Sequence, residues 1–170
     1  MKPKSKGFFD YFLSEDAIRQ RIRREIPLFG INEREINALY ALSMQQAGAF
    51  VAANPALQAF VMFIGYARSA HSLIGALLDA HPEMIVAHEL DFIKFFEKGF
   101  SRHQIFYLLY ENSRHFARVG RAWGAYSYEV PGQWQGRFAT LKVIGDKKGS
   151  ESTAHFGKNP YYLELMQRLV

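Results

Sequence analysis

The feature that most constrains this chain is the run Phe60-Val61-Met62-Phe63-Ile64, closed by Gly65. A short apolar run that is continuous rather than alternating reads as a strand buried on both faces, as in a parallel sheet. Helical spacing follows it: Leu73, Ile74, Leu77 and Leu78 recur on one face up to His81-Pro82. Met84 to Ala87 gives a second apolar run, and Leu141-Lys142-Val143-Ile144, ended by Gly145, gives a third. Helical patterns lie between them, over about residues 91–98 and 101–118, the second opened by Ser101 with Gln104 three residues on. Strands that alternate with helices predict an α/β fold, a three-layer sandwich around a parallel sheet.

Two further helices are expected ahead of this unit. Ser14 caps the first, with Ile18, Ile22 and Ile26 on one face, and Pro27 and Gly30 end it. The second carries Ile36, Tyr40, Ala47 and Val51, opens on a loose capping pair of Asn32 with Glu35, and stops at Asn54-Pro55. The expected division is a helical N-terminal extension over 1–55 and an α/β domain over 56–170. A last helix is expected from near Pro160. Three strands are few for a parallel sheet, and a further strand would be expected beyond that helix, so the domain is expected to be truncated on its C-terminal side.

Composition excludes several classes of function. The chain has no cysteine, which removes disulfides, thiolate catalysis and Cys-ligated zinc. The six histidines show no H-E-x-x-H spacing, so no metal is expected. No stretch approaches the roughly 20 apolar residues of a membrane span. The basic start turns acidic too soon for a secretory signal, so a cytoplasmic protein without a membrane partner is expected. A net charge of +5 suits a polyanionic small ligand, and a nucleic-acid surface too. Arg19, Arg21, Arg23 and Arg24 come without a stacking platform and read as a solvated face, so no nucleic-acid partner is expected.

The segment that carries chemistry is Gly65-Tyr66-Ala67-Arg68-Ser69-Ala70-His71-Ser72, between a buried strand and a helix. Backbone N–H groups and a helix N-terminus can cradle an anion there. Arg68 adds a guanidinium fork for phosphate or sulfate oxygens, and Ser69, His71 and Ser72 add side-chain donors. The pattern alone equally allows a plain strand-to-helix turn with a solvated Arg68 and Ser72 as a cap. A Walker loop for nucleoside triphosphates is excluded, because Ala70 and His71 stand where it needs Gly and Lys.

The stretch G-Y-A-R-S-A-H-S-L-I-G-A-L-L-D-A-H-P, residues 65–82, resembles the 5′-phosphosulfate loop and following leucine-rich helix of sulfotransferases. Their pattern is G-x-P-[RK]-S-G-T-[TS]-L. The Golgi tyrosylprotein sulfotransferases and their bacterial relatives are most similar in Leu78-Asp79-Ala80-His81-Pro82. A weaker likeness reaches Gly145-Asp146-Lys147-Lys148. The resemblance implies a P-loop-like fold and transfer of a sulfonate group from 3′-phosphoadenosine 5′-phosphosulfate to a hydroxyl or amine acceptor, with no metal. It implies that Gly65 to Ser72 bind the donor, that Arg68 stabilises the leaving phosphosulfate bridge, and that Glu89, in register after His81-Pro82, is the catalytic base. Ala67, Ala70 and His71 depart from the pattern, Ala70 most seriously because glycine accepts positive φ. The R-N-P element that the family uses for the 3′-phosphate is missing; Lys158-Asn159-Pro160 reads as a turn before a helix.

Lys147, at the end of the third strand, is read as a supporting cation of the donor site, with a solvated basic turn as the equal alternative. The stretch from Tyr126 to Gly136 reads as a packed surface loop, and less readily as an acceptor pocket. The acceptor class stays open among small molecules, carbohydrates and proteins, and so does the oligomeric state. The alternative function is that of a truncated, non-catalytic relative that binds a nucleotide or a partner; a phosphotransferase using the same loop is a third.

Overall fold

The computed structural model describes residues 33–123, 125–167 and 169. The helix expected over 14–26, the basic lead before it and Asn32 lie outside the described residues. In chain order the elements are α1 (Glu33–Ala52), β1 (Ala59–Met62), α2 (His71–Asp79), β2 (Met84–His88), α3 (Phe92–Glu97), α4 (Arg102–Arg118), β3 (Ala122–Trp123), β4 (Tyr126–Ser127), β5 (Val143–Lys147), α5 (Gly149–Lys158) and α6 (Tyr161–Gln167).

The expected α/β architecture is present. β1, β5 and β2 form a parallel three-stranded sheet in that order. Val143 to Asp146 pair with Ala59 to Met62 on one side, and Val143 to Lys147 pair with Met84 to His88 on the other. The strand latest in sequence is therefore the central one. Alternation along it sends Ile144 to one face and Gly145 and Lys147 to the other. Ile144 joins Ile85 and Ala87 in a core with Ile105, Leu108 and Leu109 of α4 and Ile36 and Leu39 of α1. On the opposite face α2 passes so close that a Cβ on Gly75 would sit 2.9 Å from Cγ of Lys147. Helices thus cover both faces. Aromatic rings fill the first core edge to face, Phe60 on Phe92 and Phe95 on Phe100, with centroids 5.0 and 5.1 Å apart. Among the described residues no helix is long and apolar enough to cross a membrane.

Three expectations need correction. The first strand was expected over 60–64 and buried on both faces, whereas β1 ends at Met62, is half-buried, and leaves Ile64 62% exposed. It pairs only with β5 and forms one edge of the sheet; β2 forms the other edge and is buried. The third strand does not stop at Gly145. It runs through that residue to Lys147, because β1 and β5 approach closely there and any side chain on Gly145 would strike the Val61 carbonyl. The glycine is a site of close backbone approach, not a breaker. Finally, the short antiparallel hairpin β3–β4 stands where no strand was expected. The start of α4 follows expectation: Ser101 accepts from the Gln104 amide and Gln104 returns the bond to the Ser101 amide.

A buried ion pair ties the layers together. Asp79, at the end of α2, accepts from Arg121 Nη1 at 2.6 Å, Val86 N at 2.6 Å, Ser113 Oγ at 2.7 Å and Gly136 N at 3.0 Å. It thereby joins α2, β2, α4 and the long loop before β5. Both partners are almost completely buried. Burial pushes the Asp79 carboxyl up, and Arg121 and the three other donors oppose the shift. Truncating one partner strands the other charge in the interior, which costs roughly 3–5 kcal/mol. Asp79→Ala is therefore expected to lower the unfolding free energy by about that amount in urea denaturation; a loss below about 1 kcal/mol would show that the pair is not a structural tie.

Candidate active site

Parallel strands end at one edge of their sheet, so whatever follows β1, β2 and β5 is brought together. Here those segments are the 65–72 loop, Glu89, and Lys147 with Lys148. They border a cleft of about 740 Å³ lined by Ala67, Arg68, Ala70, His71, Ser72, Glu89 and Lys147, together with Leu73, Trp123, Tyr126 and Tyr128. Gly65, Tyr66 and Ser69 do not line it. Tyr66 is 86% exposed, and the Ser69 hydroxyl donates to the Tyr66 carbonyl at 2.8 Å, closing the loop on itself.

The loop feeds directly into α2, whose first amides have no partner within the helix and face any anion bound there. Its backbone is strained. Arg68 and Ala70 both have left-handed φ, 62° and 60°. Ala70 thus occupies the conformation for which its departure from glycine had flagged it. The loop is braced from behind by Thr153 of α5, whose hydroxyl accepts from Gly65 N at 2.8 Å and lies 3.1 Å from Gly65 O. His71 packs on Gly149, where a Cβ would come within 2.6 Å of the imidazole. Arg68 is exposed and lines the cleft.

Glu89 also lies at left-handed φ, 59°, its amide bonded to Lys147 O at 2.9 Å. Its carboxylate joins two lysines. Oε1 accepts from Lys147 Nζ, and Oε2 from Lys148 Nζ at 2.8 Å. Lys147 also donates to Ser72 Oγ at 3.0 Å, which links Glu89 to the start of α2. The Lys147 side chain is only 2% exposed. Burial pulls its ammonium below the usual lysine range against the opposing pull of Glu89. At Lys148 burial acts the same way, but Glu89 and Glu151 outweigh it and the net shift is upward. Among the described residues, four of the five non-glycine residues with positive φ (Arg68, Ala70, Glu89 and Asp91) lie on the two loops at this edge. Strain of this kind costs about 1–3 kcal/mol per residue and gathers at functional sites.

The far wall is aromatic. Trp123 and Tyr126 of the β3–β4 hairpin and the adjoining Tyr128 face the cleft, and Tyr126 is 69% exposed. The stretch expected as a packed loop divides in two. Its first residues line the cleft. Gln135 packs inward, donating to Ala76 O at 3.0 Å and Tyr128 O at 2.9 Å and accepting from Val130 N at 2.7 Å. Behind the hairpin His88 stacks on Phe116 at 4.3 Å and meets Trp123 at 5.1 Å. Burial, helped by Lys147 and Arg121, pulls the His88 imidazole down to about 2, so it is neutral at ordinary pH. Sequence reasoning set the stretch Gly145 to Gly149 at the ligand crevice and named Lys147 within it, but passed over Thr153, Trp123 and Gly75. Among these only Gly75, a glycine inside a leucine-rich helix, left a readable signal.

The chemistry available is anion binding at the loop, with Glu89 as a carboxylate within reach of the same space. Among the described residues no group of three or more His, Cys, Asp or Glu could hold a metal ion. Comparisons of the chain with protein-family models, curated proteins and solved structures gave no match.

Two outcomes are expected. A left-handed non-glycine residue costs about 1–2 kcal/mol, and glycine's extra unfolded freedom offsets part of the relief. Ala70→Gly should therefore stabilise the protein by about 0.5–1 kcal/mol in urea denaturation, and a destabilised variant would show the conformation to be unstrained. His88 has a folded-state pKa below its unfolded one, so its contribution is full above pH 6.5 and is lost as pH falls toward 2. The stability of the wild type relative to His88→Phe should fall between pH 6.5 and 4 by up to about 1.4 kcal/mol per pH unit. A constant difference would mean that His88 protonates as freely folded as unfolded.

Proposed function

We propose that the protein is a sulfotransferase with a P-loop-like three-layer fold, moving a sulfonate group from 3′-phosphoadenosine 5′-phosphosulfate to a hydroxyl or amine acceptor. The observation that carries this reading is the meeting of Arg68, Ser72, Glu89 and Lys147 on one cleft, although they come from three separate strand ends. The strand order, with β5 between β1 and β2, supports the same reading.

In this reading the donor's phosphosulfate lies on the 65–72 loop, against the first turn of α2. The acceptor oxygen or nitrogen attacks sulfur while the bond from sulfur to the bridging oxygen breaks, and the electron pair leaves with the 5′-phosphate. Arg68 and Lys147 offset the charge that gathers there, as cations do in phosphoryl transfer. Glu89 takes the acceptor's proton. Each Glu89 oxygen accepts from one lysine, which leaves a lone pair on each to take the acceptor's proton. Lys147 already reaches Ser72 at the loop and is placed to move toward an incoming anion. The aromatic wall of Trp123, Tyr126 and Tyr128 is where the acceptor would lie.

A second reading, a non-catalytic nucleotide binder, draws on the same lysine engagement of Glu89 and the strained Ala70. Turnover separates the two. Sulfonate transfer from labelled donor, assayed over a panel of phenols, amines and sugars, is expected to fall about 10²–10³-fold in Arg68→Ala. In Glu89→Gln it is expected to fall about 10²–10⁴-fold with little change in donor KM. Donor binding without transfer to any acceptor would favour the binder.

A further inference from the structure

The base proposed above stands on a turn that is held from β5. After β2 the chain passes through Glu89, Leu90 and Asp91 into α3, with φ of 59° at Glu89 and 62° at Asp91. Two left-handed non-glycine residues separated only by Leu90 need outside support. The support is Asp146, on β5 one residue before Lys147. Its Oδ1 accepts from Leu90 N at 3.1 Å and its Oδ2 from Phe92 N at 3.0 Å. Asp146 is 1% exposed, so solvent does not share in these bonds. We propose that Asp146 is a positioning residue for Glu89: ionised, it holds both amides and keeps Glu89 between Lys147 and Lys148; protonated, it gives up one of the two bonds and the turn relaxes.

The surroundings place that proton near neutrality. Burial pushes the Asp146 carboxyl up to about 7, the two amide bonds oppose the shift, and Asp91 and Glu89 add to it. Lys147 adjoins it on the strand and feels its charge. Lys94 of α3, and Lys148 and His155 on the α5 side, act on Asp91. The sign is opposite to that of an ordinary salt-bridged carboxylate. Because the folded-state pKa is raised, the stabilising contribution is full below pH 3.8 and is lost as pH rises through about 7. The state that holds the turn is thus the less stable one. Its effect on transfer rests on the reading of Glu89 as the base; the hydrogen bonds and their titration do not.

The test follows the backbone amides of Leu90 and Phe92 by nuclear magnetic resonance from pH 5 to 9, in wild type, Asp146→Asn and Asp91→Asn. The two resonances are expected to move together with a midpoint near 7 in wild type and somewhat lower in Asp91→Asn, and to lose that transition in Asp146→Asn. A midpoint in the ordinary carboxylate range, no transition, or a transition lost only in Asp91→Asn would overturn the proposal. The wild-type titration decides even if Asp146→Asn does not fold. In donor turnover, measured as release of adenosine 3′,5′-bisphosphate, wild-type kcat should rise about tenfold through pH 7. Asp146→Asn should be at least tenfold slower and flat over that range, with donor KM unchanged. A variant that keeps the wild-type rise would also overturn the proposal. A wild type with no turnover at all counts against the transferase reading, and the amide titration then decides this one alone.

Discussion

The structure depends on the insertion of β5 between β1 and β2. The two earlier strands do not touch each other in the sheet; each pairs only with the strand that arrives about sixty residues after β2 begins. Until β5 is in place, the loop after β1 and the turn after β2 belong to separate edges. Once it is in place, all three parallel strands end together and their carboxyl ends form one cleft. The tight approach at Gly145 makes this insertion possible. It lets β1 lie against β5 at a distance that no side chain would permit. Such long-range pairing is entropically slow to form, since its loop must close before the contact returns anything.

The same insertion delivers charge into the interior. Asp146 and Lys147 both sit on β5 and both are almost fully buried, on opposite faces of the sheet. Buried charges are tolerated where partners replace water. Lys147 finds Glu89 and Ser72, and Asp146 finds two backbone amides. One strand thus sets the cation in the cleft from one face and props the carboxylate opposite it from the other. The Asp79–Arg121 pair does comparable work at the far end of α2, where it holds Gly136 and the long loop whose hairpin forms the aromatic wall. Backbone strain at Arg68, Ala70, Glu89 and Asp91 is the cost of presenting these groups, and the buried polar network is what withstands it.

Much of this is legible in the sequence, for identifiable reasons. Local periodicity carries α2 and α4, and the Ser101–Gln104 capping pair marks the start of α4 almost to the residue. The strand–loop–helix order at 60–78 is read from the apolar run and the helical spacing after it, and the glycine preference at position 70 foretells the left-handed backbone found there. What local pattern cannot carry is anything fixed by strand order. That β1 is an edge strand, that Gly145 is crossed rather than terminal, and that Lys148 joins Glu89 all follow from where β5 lies. No window of sequence contains that fact. The β3–β4 hairpin escaped for another reason: its strands have two residues each and show no alternation to read. The role of Asp146 was hidden because its partners are backbone amides, which leave no side-chain signature.

The central claim is that the 65–72 loop binds the phosphate end of an adenylyl sulfonate donor. Titration calorimetry with adenosine 3′,5′-bisphosphate, run on the wild-type chain and on Arg68→Ala, tests it most directly. The account predicts micromolar binding to the wild type, weakened at least tenfold in the variant. A folded wild-type chain that takes up no nucleotide, or an Arg68→Ala chain that binds as well as the wild type, would contradict it.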